Sequence, residues 1–268
     1  MRPDMTAQTA DSPAESVGDD FVRNYREQGF AHVPGVLTSE EVARYRAAAD
    51  RLYAAESPVV WGTSEEEVQV HYVEHAWQKE PLLRELALHP RITAIALRLA
   101  GCALRLYSSD LLVKEPRTAL PTLVHDDEPG LPLANLDNAL TAWIALGDVP
   151  AERGCLSFVP GSHRRPESDR QTRMESFADY RPMPNVWPDF PWRPRVTVPL
   201  RAGDVTFHHF RTVHMAGDNH SDERRVGNGV IYIDDGATYR PGVQDEHLRG
   251  MAPGQRLDGE DFPRIGHT

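Results

Sequence analysis

A histidine and an aspartate separated by one residue, His125 and Asp127, are the first residues in this sequence whose spacing suits metal chemistry. In a β-strand, residues two apart project from the same face, so these side chains would lie together while Asp126 points the other way. They supply two ligands of a two-histidine, one-carboxylate triad, which leaves open coordination positions on Fe(II). The same pair also fits a surface ion pair at a strand end, and the motif alone does not separate these interpretations.

A third ligand must come from elsewhere, and the segment 203–214 offers His208, His209 and His214. A turn at its first two residues starts a strand in which His208 and His209 face opposite sides, so at most one of them points inward. Each of the three also fits a packed or hydrogen-bonded histidine.

The elements that precede these segments are mainly helical. We predict a helix over 19–28, a second helix opened by a capping box at 38–41, and two short helices that begin at Pro81 and Pro90. The last of these closes at Gly101. Residues 18–101 are thus expected to form a helical part, interrupted by a short extended piece over 30–37.

After residue 101 the pattern changes to short runs rich in β-formers, separated by turn residues. Helices first and strands afterwards predict an α+β, mainly β fold: a double-stranded β-helix, or jelly roll, with flanking N-terminal helices. We expect one domain over 18–268, with a jelly-roll core over 102–235 and a C-terminal tail over 236–268. The predicted strands cover residues 104–113, 123–127, 139–149, 155–159, 196–200, 205–209 and 226–233.

Composition and charge exclude several classes of protein. The 268 residues are 40% hydrophobic and 26% charged, which suits a globular chain, and the net charge of −11 disfavours nucleic acid or anionic lipid as a partner. No apolar run reaches the ~20 residues of a membrane span, and two cysteines cannot build a disulfide framework. Residues 1–17 are polar without an apolar signal region, so we expect a disordered leader and a cytoplasmic protein.

Taken in order, these segments resemble the phytanoyl-CoA dioxygenase family of Fe(II)/2-oxoglutarate oxygenases over roughly residues 20–235. Each motif is weak alone, but their shared order is specific. The matching motifs are Gly29-Phe30 with Thr38–Glu41, Lys114-Glu-Pro116, His125-Asp-Asp127, Trp143, Gly154–His163, Gly203-Asp204, Phe207-His208, His214, Asn219 and Arg225.

The resemblance implies that His125, Asp127 and His214 bind Fe(II). It also implies that Arg225, eleven residues after His214, holds the far carboxylate of 2-oxoglutarate. A planar guanidinium suits that role because it donates two parallel hydrogen bonds to a carboxylate. Arg224 is the rival, since neighbouring strand residues face opposite sides, and the spacing favours Arg225.

Further implied contacts with the cosubstrate are less specific. Trp143 would line its pocket, although it also fits an ordinary core tryptophan, and Lys114 would lie at the pocket edge, although it also fits a solvated lysine. Many members of the family carry serine two residues after the distal histidine, where this chain has Ala216. A water or another hydroxyl, with Thr212 as one candidate, would then take its place.

The resemblance implies an enzyme that uses O₂ and 2-oxoglutarate to oxidise a small molecule, releasing succinate and CO₂. Related halogenases carry Gly or Ala at the carboxylate position, so Asp127 favours hydroxylation. Desaturation, epoxidation and ring closure use the same triad. One alternative is a divalent-metal isomerase or hydrolase of the jelly-roll group. Another is a non-catalytic binding protein on the same fold; the loss of a ligand residue would indicate it, and none is lost here.

Residues 160–194 are the least regular stretch, with seven prolines. Long irregular loops in compact domains are usually functional. We therefore expect this loop and the tail after Tyr239 to form the wall that faces substrate, with Trp187, Phe190 and Trp192 as its apolar contacts. The substrate itself and the oligomeric state are not determined by the sequence.

Overall fold

The computed structural model describes residues 17–62, 68–118 and 120–266. Its helices are α1 (Asp19–Gln28), α2 (Ser39–Ala55), α3 (Ala76–Lys79), α4 (Pro81–Ala87), α5 (Pro90–Ala100) and α6 (Met183–Val186). Its strands are β1 (Phe30–Val33), β2 (Val59–Gly62), β3 (Val68–Val73), β4 (Leu104–Lys114), β5 (Thr122–His125), β6 (Leu133–Ala134), β7 (Leu140–Ala145), β8 (Leu156–Phe158), β9 (Val196–Val198), β10 (Val205–His209), β11 (His214–Ala216), β12 (Arg225–Asp234) and β13 (Thr238–Tyr239).

Local signals fix the ends of the first helices. α1 stops at Gly29, whose φ of 82° is left-handed and lets its N–H bond back to Tyr25. α2 begins with the predicted capping box, in which the Glu41 N–H donates to Thr38 Oγ1 at 3.2 Å and the Thr38 N–H donates to the Glu41 carboxylate at 2.7 Å. Helix α1 therefore starts and ends where the sequence predicts, and α2 starts at the predicted capping box.

Two antiparallel sheets form the body of the described structure. The larger has the strand order β1-β10-β7-β12-β4-β3-β2, and the smaller has the order β5-β11-β8-β9. Side chains from both, including Trp143, Ala145, Leu156 and Ala216, pack together between them. Helices α1 to α5 pack on the outer face of the larger sheet. This is the predicted jelly roll with flanking N-terminal helices.

The part of the chain predicted to be helical also contributes strands. β2 and β3 pair with each other, and β3 extends the larger sheet by pairing with β4. The expectation of a helical part over 18–101 is therefore wrong for residues 59–62 and 68–73. The physical reason is the edge of β4, whose unpaired backbone groups give this segment hydrogen bonds that its own weak periodicity does not reveal.

Residues 160–194 are irregular, as predicted, with only α6 and short 3₁₀ turns. Beneath them a cluster that includes Met183, Trp187 and Phe190 packs against Val213 and Val124 of the smaller sheet. The tail after β13 packs through Leu248, Leu257 and Phe262 against Tyr107. The predicted leader lies outside the described residues except for Val17, which is buried. No helix in the described part of the chain is long and apolar enough to cross a membrane.

Candidate functional site

His125 and His214 lie side by side because β5 and β11 are antiparallel neighbours in which these two residues pair directly. Asp127 lies two residues after the end of β5, and its N–H donates to the Phe210 carbonyl. One ligand atom from each of the three side chains lies within 4.8 Å of the others. Asp127 Oδ1 is 3.9 Å from His125 Nε2 and 3.7 Å from His214 Nε2. The three residues named by the sequence therefore converge.

The backbone sets the orientation of both imidazoles. His125 Nδ1 donates to the Leu123 carbonyl at 2.7 Å, and His214 Nδ1 donates to the Thr212 carbonyl at 2.9 Å. Because a carbonyl only accepts, Nδ1 carries the proton and each Nε2 presents a lone pair to the site.

Burial then keeps the site ready for a cation. Desolvation lowers the pKa of His125 and of His214 to about 4, so both rings are neutral at pH 7. Although burial opposes it, the nearby histidines lower the pKa of Asp127, which is ionised. Two neutral imidazoles and one carboxylate on one side of an ion fit the donor set of a non-haem Fe(II) centre.

Two buried cations lie beside this group without a carboxylate partner. Arg225 pairs with Lys114 across β12 and β4, and their exposed fractions are 3% and 0%. Arg225 Nη1 donates to the Gly154 carbonyl at 2.7 Å, while its buried Nε has no hydrogen-bond partner. Lys114 Nζ donates to the carbonyls of Gly217 and Leu120. Among the described residues no acidic side chain forms an ion pair with either.

Burial without a counter-charge perturbs both cations. Desolvation lowers the pKa of Lys114 to about 7 and that of Arg225 to about 10. Uncompensated buried charge is costly, so an anionic ligand that enters here gains interaction energy from both groups. The orphaned guanidinium Nε and the missing counter-charge therefore fit the carboxylate of 2-oxoglutarate. Lys114 is not the solvated lysine that the sequence left open.

Trp143 and Gly227 form the floor beside Arg225. Trp143 is buried, and the Arg225 Cζ lies 5.5 Å from its ring centroid. A Cβ at Gly227 would lie 2.1 Å from Trp143 Cζ2, so only glycine leaves room for the indole. The tryptophan thus lies between the sheets and against the guanidinium.

The structure separates the two neighbouring arginines. Arg224 directly precedes β12 and points the opposite way, where it pairs with Glu115 at 3.0 Å, and its side chain is 38% exposed. Only Arg225 points between the sheets.

Thr212 does not lie where the missing serine hydroxyl would be. Its Oγ1 donates to the Gly29 carbonyl at 2.7 Å, at the junction of α1 and β1. The residue that pairs with Ala216 across the smaller sheet is Thr122, whose buried Oγ1 has no hydrogen-bond partner. A β-bulge between these pairs turns Thr122 to the same side as His125, three residues later. Simple alternation along β5 points it the other way, so no signal in the sequence indicates it.

The three apolar residues proposed to contact substrate are not together. Trp187 and Phe190 are 4% and 5% exposed and pack against Val213 and Val124. These two valines precede His214 and His125 in the chain, and their side chains point to the opposite face of the smaller sheet from the histidines. The expectation that Trp187 and Phe190 contact substrate is corrected: they pack the loop onto the sheet. Trp192 is 87% exposed and remains accessible.

Two residues near the triad were missed from the sequence. Thr141, on β7, donates its hydroxyl to Asp127 Oδ2 at 2.8 Å. Its position two residues before Trp143 would have placed it on the inner face. The Trp61 ring, on β2, meets the His125 ring edge-on with centroids 5.0 Å apart. Trp61 lies in the segment that was expected to be helical, so its approach to the site depends on the strand pairing.

A jelly roll that converges two histidines and one carboxylate beside a buried arginine defines the class of non-haem Fe(II)/2-oxoglutarate oxygenases. The sequence pattern of the phytanoyl-CoA dioxygenase (PhyH) family matches residues 25–227, and the chain belongs to that family. Its cofactors are accordingly iron, 2-oxoglutarate and O₂.

The chain is similar to several proteins of this class. It is 61% identical to the crystal structure of the non-heme alpha-ketoglutarate-dependent carbocyclase SnoK from nogalamycin biosynthesis, with a TM-score of 0.92, covering 94% of this chain and 98% of that one. It is 42% identical to the epimerase SnoN solved with Fe³⁺, alpha-ketoglutarate and nogalamycin RO, with a TM-score of 0.80 and coverage of 94% and 98%.

A curated relative is more distant. Phytanoyl-CoA dioxygenase domain-containing protein 1 of Mus musculus is 30% identical over 181 residues, which cover 66% of this chain and 62% of the mouse protein. The chain thus spans less than two thirds of that relative's length.

Proposed function

We propose that this protein is an Fe(II)- and 2-oxoglutarate-dependent enzyme that closes a ring on a small natural product related to nogalamycin intermediates. The observation that carries the proposal is the 61% identity to a carbocyclase over nearly the full length of both chains. Hydroxylation, the outcome that the sequence favours, is the alternative product of the same site.

In this proposal the described residues have distinct tasks. His125, Asp127 and His214 bind the metal through two Nε2 atoms and one carboxylate oxygen. Arg225 holds the far carboxylate of 2-oxoglutarate, and Lys114 adds positive charge to that end of the pocket. When bound, iron supplies the chemistry that couples O₂ and 2-oxoglutarate to two-electron oxidation of substrate, with release of succinate and CO₂.

The hydroxyl of Thr122 takes the place of the serine that Ala216 lacks. The supporting observation is its buried oxygen without a partner on the strand residue that faces Ala216. A buried hydroxyl left unpaired costs free energy, which a carboxylate acceptor would recover.

The substrate side of the cavity is the part of the larger sheet that continues past the triad. Tyr72, Leu112 and Gly227 pair in one row across β3, β4 and β12, which puts them on the inner face. Tyr72 and Leu112 are partly exposed there, as is Trp61 beside His125. We assign these apolar surfaces to contact with substrate, so that it approaches the metal from β2 and β3.

The test is substrate-triggered conversion of 2-oxoglutarate to succinate by the iron-loaded protein, with a panel of nogalamycin-related and unrelated small molecules. Ring closure and hydroxylation each remove two electrons from substrate and consume one 2-oxoglutarate and one O₂. Ring closure yields a product lacking two hydrogen atoms, hydroxylation yields one with an added oxygen, and epimerisation leaves the mass unchanged.

Mass spectrometry of the product therefore separates these outcomes. A product that gains one oxygen atom would show that the protein is a hydroxylase and would contradict ring closure. Turnover that needs a divalent metal but no 2-oxoglutarate would favour the isomerase or hydrolase alternative. Metal binding with no turnover of any member of the panel, while SnoK turns over its own substrate in parallel, would favour a binding protein.

A further inference from the structure

A third histidine lies against the triad, and the roles assigned so far do not explain it. His208 is on β10, is 2% exposed, and points between the sheets because it pairs with Thr141 of β7. The centroids of its ring and the His214 ring are 4.4 Å apart, and its Nε2 lies 3.5 Å from Asp127 Oδ2. It is outside the group of three whose ligand atoms converge.

The two oxygens of Asp127 have different surroundings. Oδ1 faces both Nε2 atoms of His125 and His214. Oδ2 accepts the Thr141 hydroxyl at 2.8 Å and is the acidic oxygen that His208 faces. The carboxylate is therefore divided into one oxygen turned to the metal site and one turned to β7 and β10.

Neither ring nitrogen of His208 has a hydrogen-bond partner, although both are buried. A neutral imidazole must carry a proton on one of them, and a buried donor without an acceptor is costly. The Asp127 carboxylate is ionised, and its Oδ2 lies only slightly beyond hydrogen-bond distance from His208 Nε2. A small movement of the carboxylate would therefore complete a hydrogen bond between them. The His208 ring also packs against Phe158. Packing alone would not require Nε2 to point towards the Asp127 carboxylate.

We propose that His208 is a positioning residue that, together with Thr141, holds Asp127 Oδ2 and leaves Oδ1 alone to bind the metal. This inference rests on the proposed triad. A carboxylate held through one oxygen occupies one coordination position instead of two, which preserves the positions that 2-oxoglutarate and O₂ require. Partners of metal-binding carboxylates commonly act in this way.

The test is Co(II) binding to the full chain without any substrate, because the Co(II) absorption spectrum reports the coordination number. His208→Phe keeps a ring of similar volume and removes both nitrogens. We expect Co(II) to bind about 10- to 100-fold more weakly, with a spectrum shifted towards higher coordination. His208→Gln, which keeps an N–H donor, should recover much of the affinity and the wild-type spectrum.

The matched control is His209→Phe. His209 is the next residue on β10, faces the other side, and bonds to the Asp137 carbonyl. The His209→Phe substitution should therefore leave the Co(II) affinity and spectrum unchanged. If His208→Phe does not fold, His208→Leu is used with the same expectations.

The outcomes separate the two levels of the proposal. Wild-type Co(II) affinity and spectrum in the folded His208 apolar variant would overturn the positioning role and leave the triad intact. Failure of the wild-type protein to bind Co(II), or equal binding by Asp127→Ala, would overturn the proposed metal site itself.

Discussion

Arg165 and Asp126 form an ion pair of 2.7 Å whose side chains are only 2% and 3% exposed. Asp126 lies between the two ligand residues of the first motif, where the sequence assigns it no role. Arg165 comes from the irregular loop 160–194, where it also donates to the Ser162 carbonyl and stacks on Trp187. The pair therefore ties the loop to the segment that carries His125 and Asp127.

Breaking this pair should unfold the protein more easily. We expect Asp126→Asn to lower the free energy of unfolding by about 3–5 kcal/mol, because it removes the carboxylate that pairs directly with the buried Arg165. Urea denaturation of the metal-free protein measures the change. The control is Asp20→Asn, which removes an exposed pair with Arg23 and should have no measurable effect. Equal stability of the two variants would contradict this account.

Arg225→Lys should weaken the binding of 2-oxoglutarate, while the affinity for the metal changes little. The substitution keeps the charge and loses the planar fork, at a cost of about 2–5 kcal/mol, or roughly thirtyfold to several-thousandfold in affinity. Titration of the anaerobic Fe(II) protein with 2-oxoglutarate, followed by the visible charge-transfer band, measures it. Arg224→Lys should cost far less, because Arg224 faces Glu115 on the other side of β12. If the Arg224 variant is the damaged one, the assignment of the arginine is wrong.

Thr122→Val and Thr212→Val remove one hydroxyl each from positions that the structure distinguishes. We expect Thr122→Val to weaken the binding of 2-oxoglutarate by about 1.5–3 kcal/mol, the value of one hydrogen bond to a charged group. Thr212→Val removes the bond to the Gly29 carbonyl and should lower stability without changing cosubstrate affinity. The same titration, with thermal unfolding beside it, compares them. A reversed order would return the role to Thr212.

The affinity for 2-oxoglutarate should fall as the pH rises above about 7, because the pKa of Lys114 is lowered to about 7 by burial. The dianion favours the protonated amine, so binding takes up a proton wherever free Lys114 is neutral, and affinity is greatest below that pKa. Calorimetry at saturating metal, between pH 6 and 9, measures the slope and the proton uptake. Lys114→Met should bind weakly at every pH in this range, and a slope that persists in this variant would assign the titration to another group.

Gly227→Ala should disrupt the floor of the proposed cosubstrate pocket. The new Cβ would meet Trp143 at 2.1 Å, and overpacking of this kind costs about 1–3 kcal/mol or more. Gly236→Ala adds the same atom where nothing lies within 4 Å and should be neutral. Thermal unfolding and the 2-oxoglutarate titration measure both variants. A Gly227 variant as stable as wild type would show that the indole is free to move.

The sequence by itself predicted the first helices, most of the strands after residue 101 and the three residues that converge. Capping signals and glycine stops act within a few residues, so α1 ends at Gly29 and α2 begins at its capping box, as the pattern predicts. The order of motifs identified His125, Asp127, His214 and Arg225, whose chemistry is carried by residue type. The long irregular segment was also visible, because prolines and missing periodicity are properties of the chain alone.

Only the tertiary structure decided which faces these residues share. The bulge that turns Thr122 inward, the edge pairing that makes β2 and β3 strands, and the burial of Trp187 behind the smaller sheet all depend on contacts between distant segments. Asp126 likewise pairs with Arg165 of the irregular loop, 39 residues away, and Asp127 faces His208 of β10, 81 residues away. Residue type and spacing determine which interactions a side chain can make. Hydrogen bonding between strands and the exclusion of water determine which neighbouring residue it interacts with.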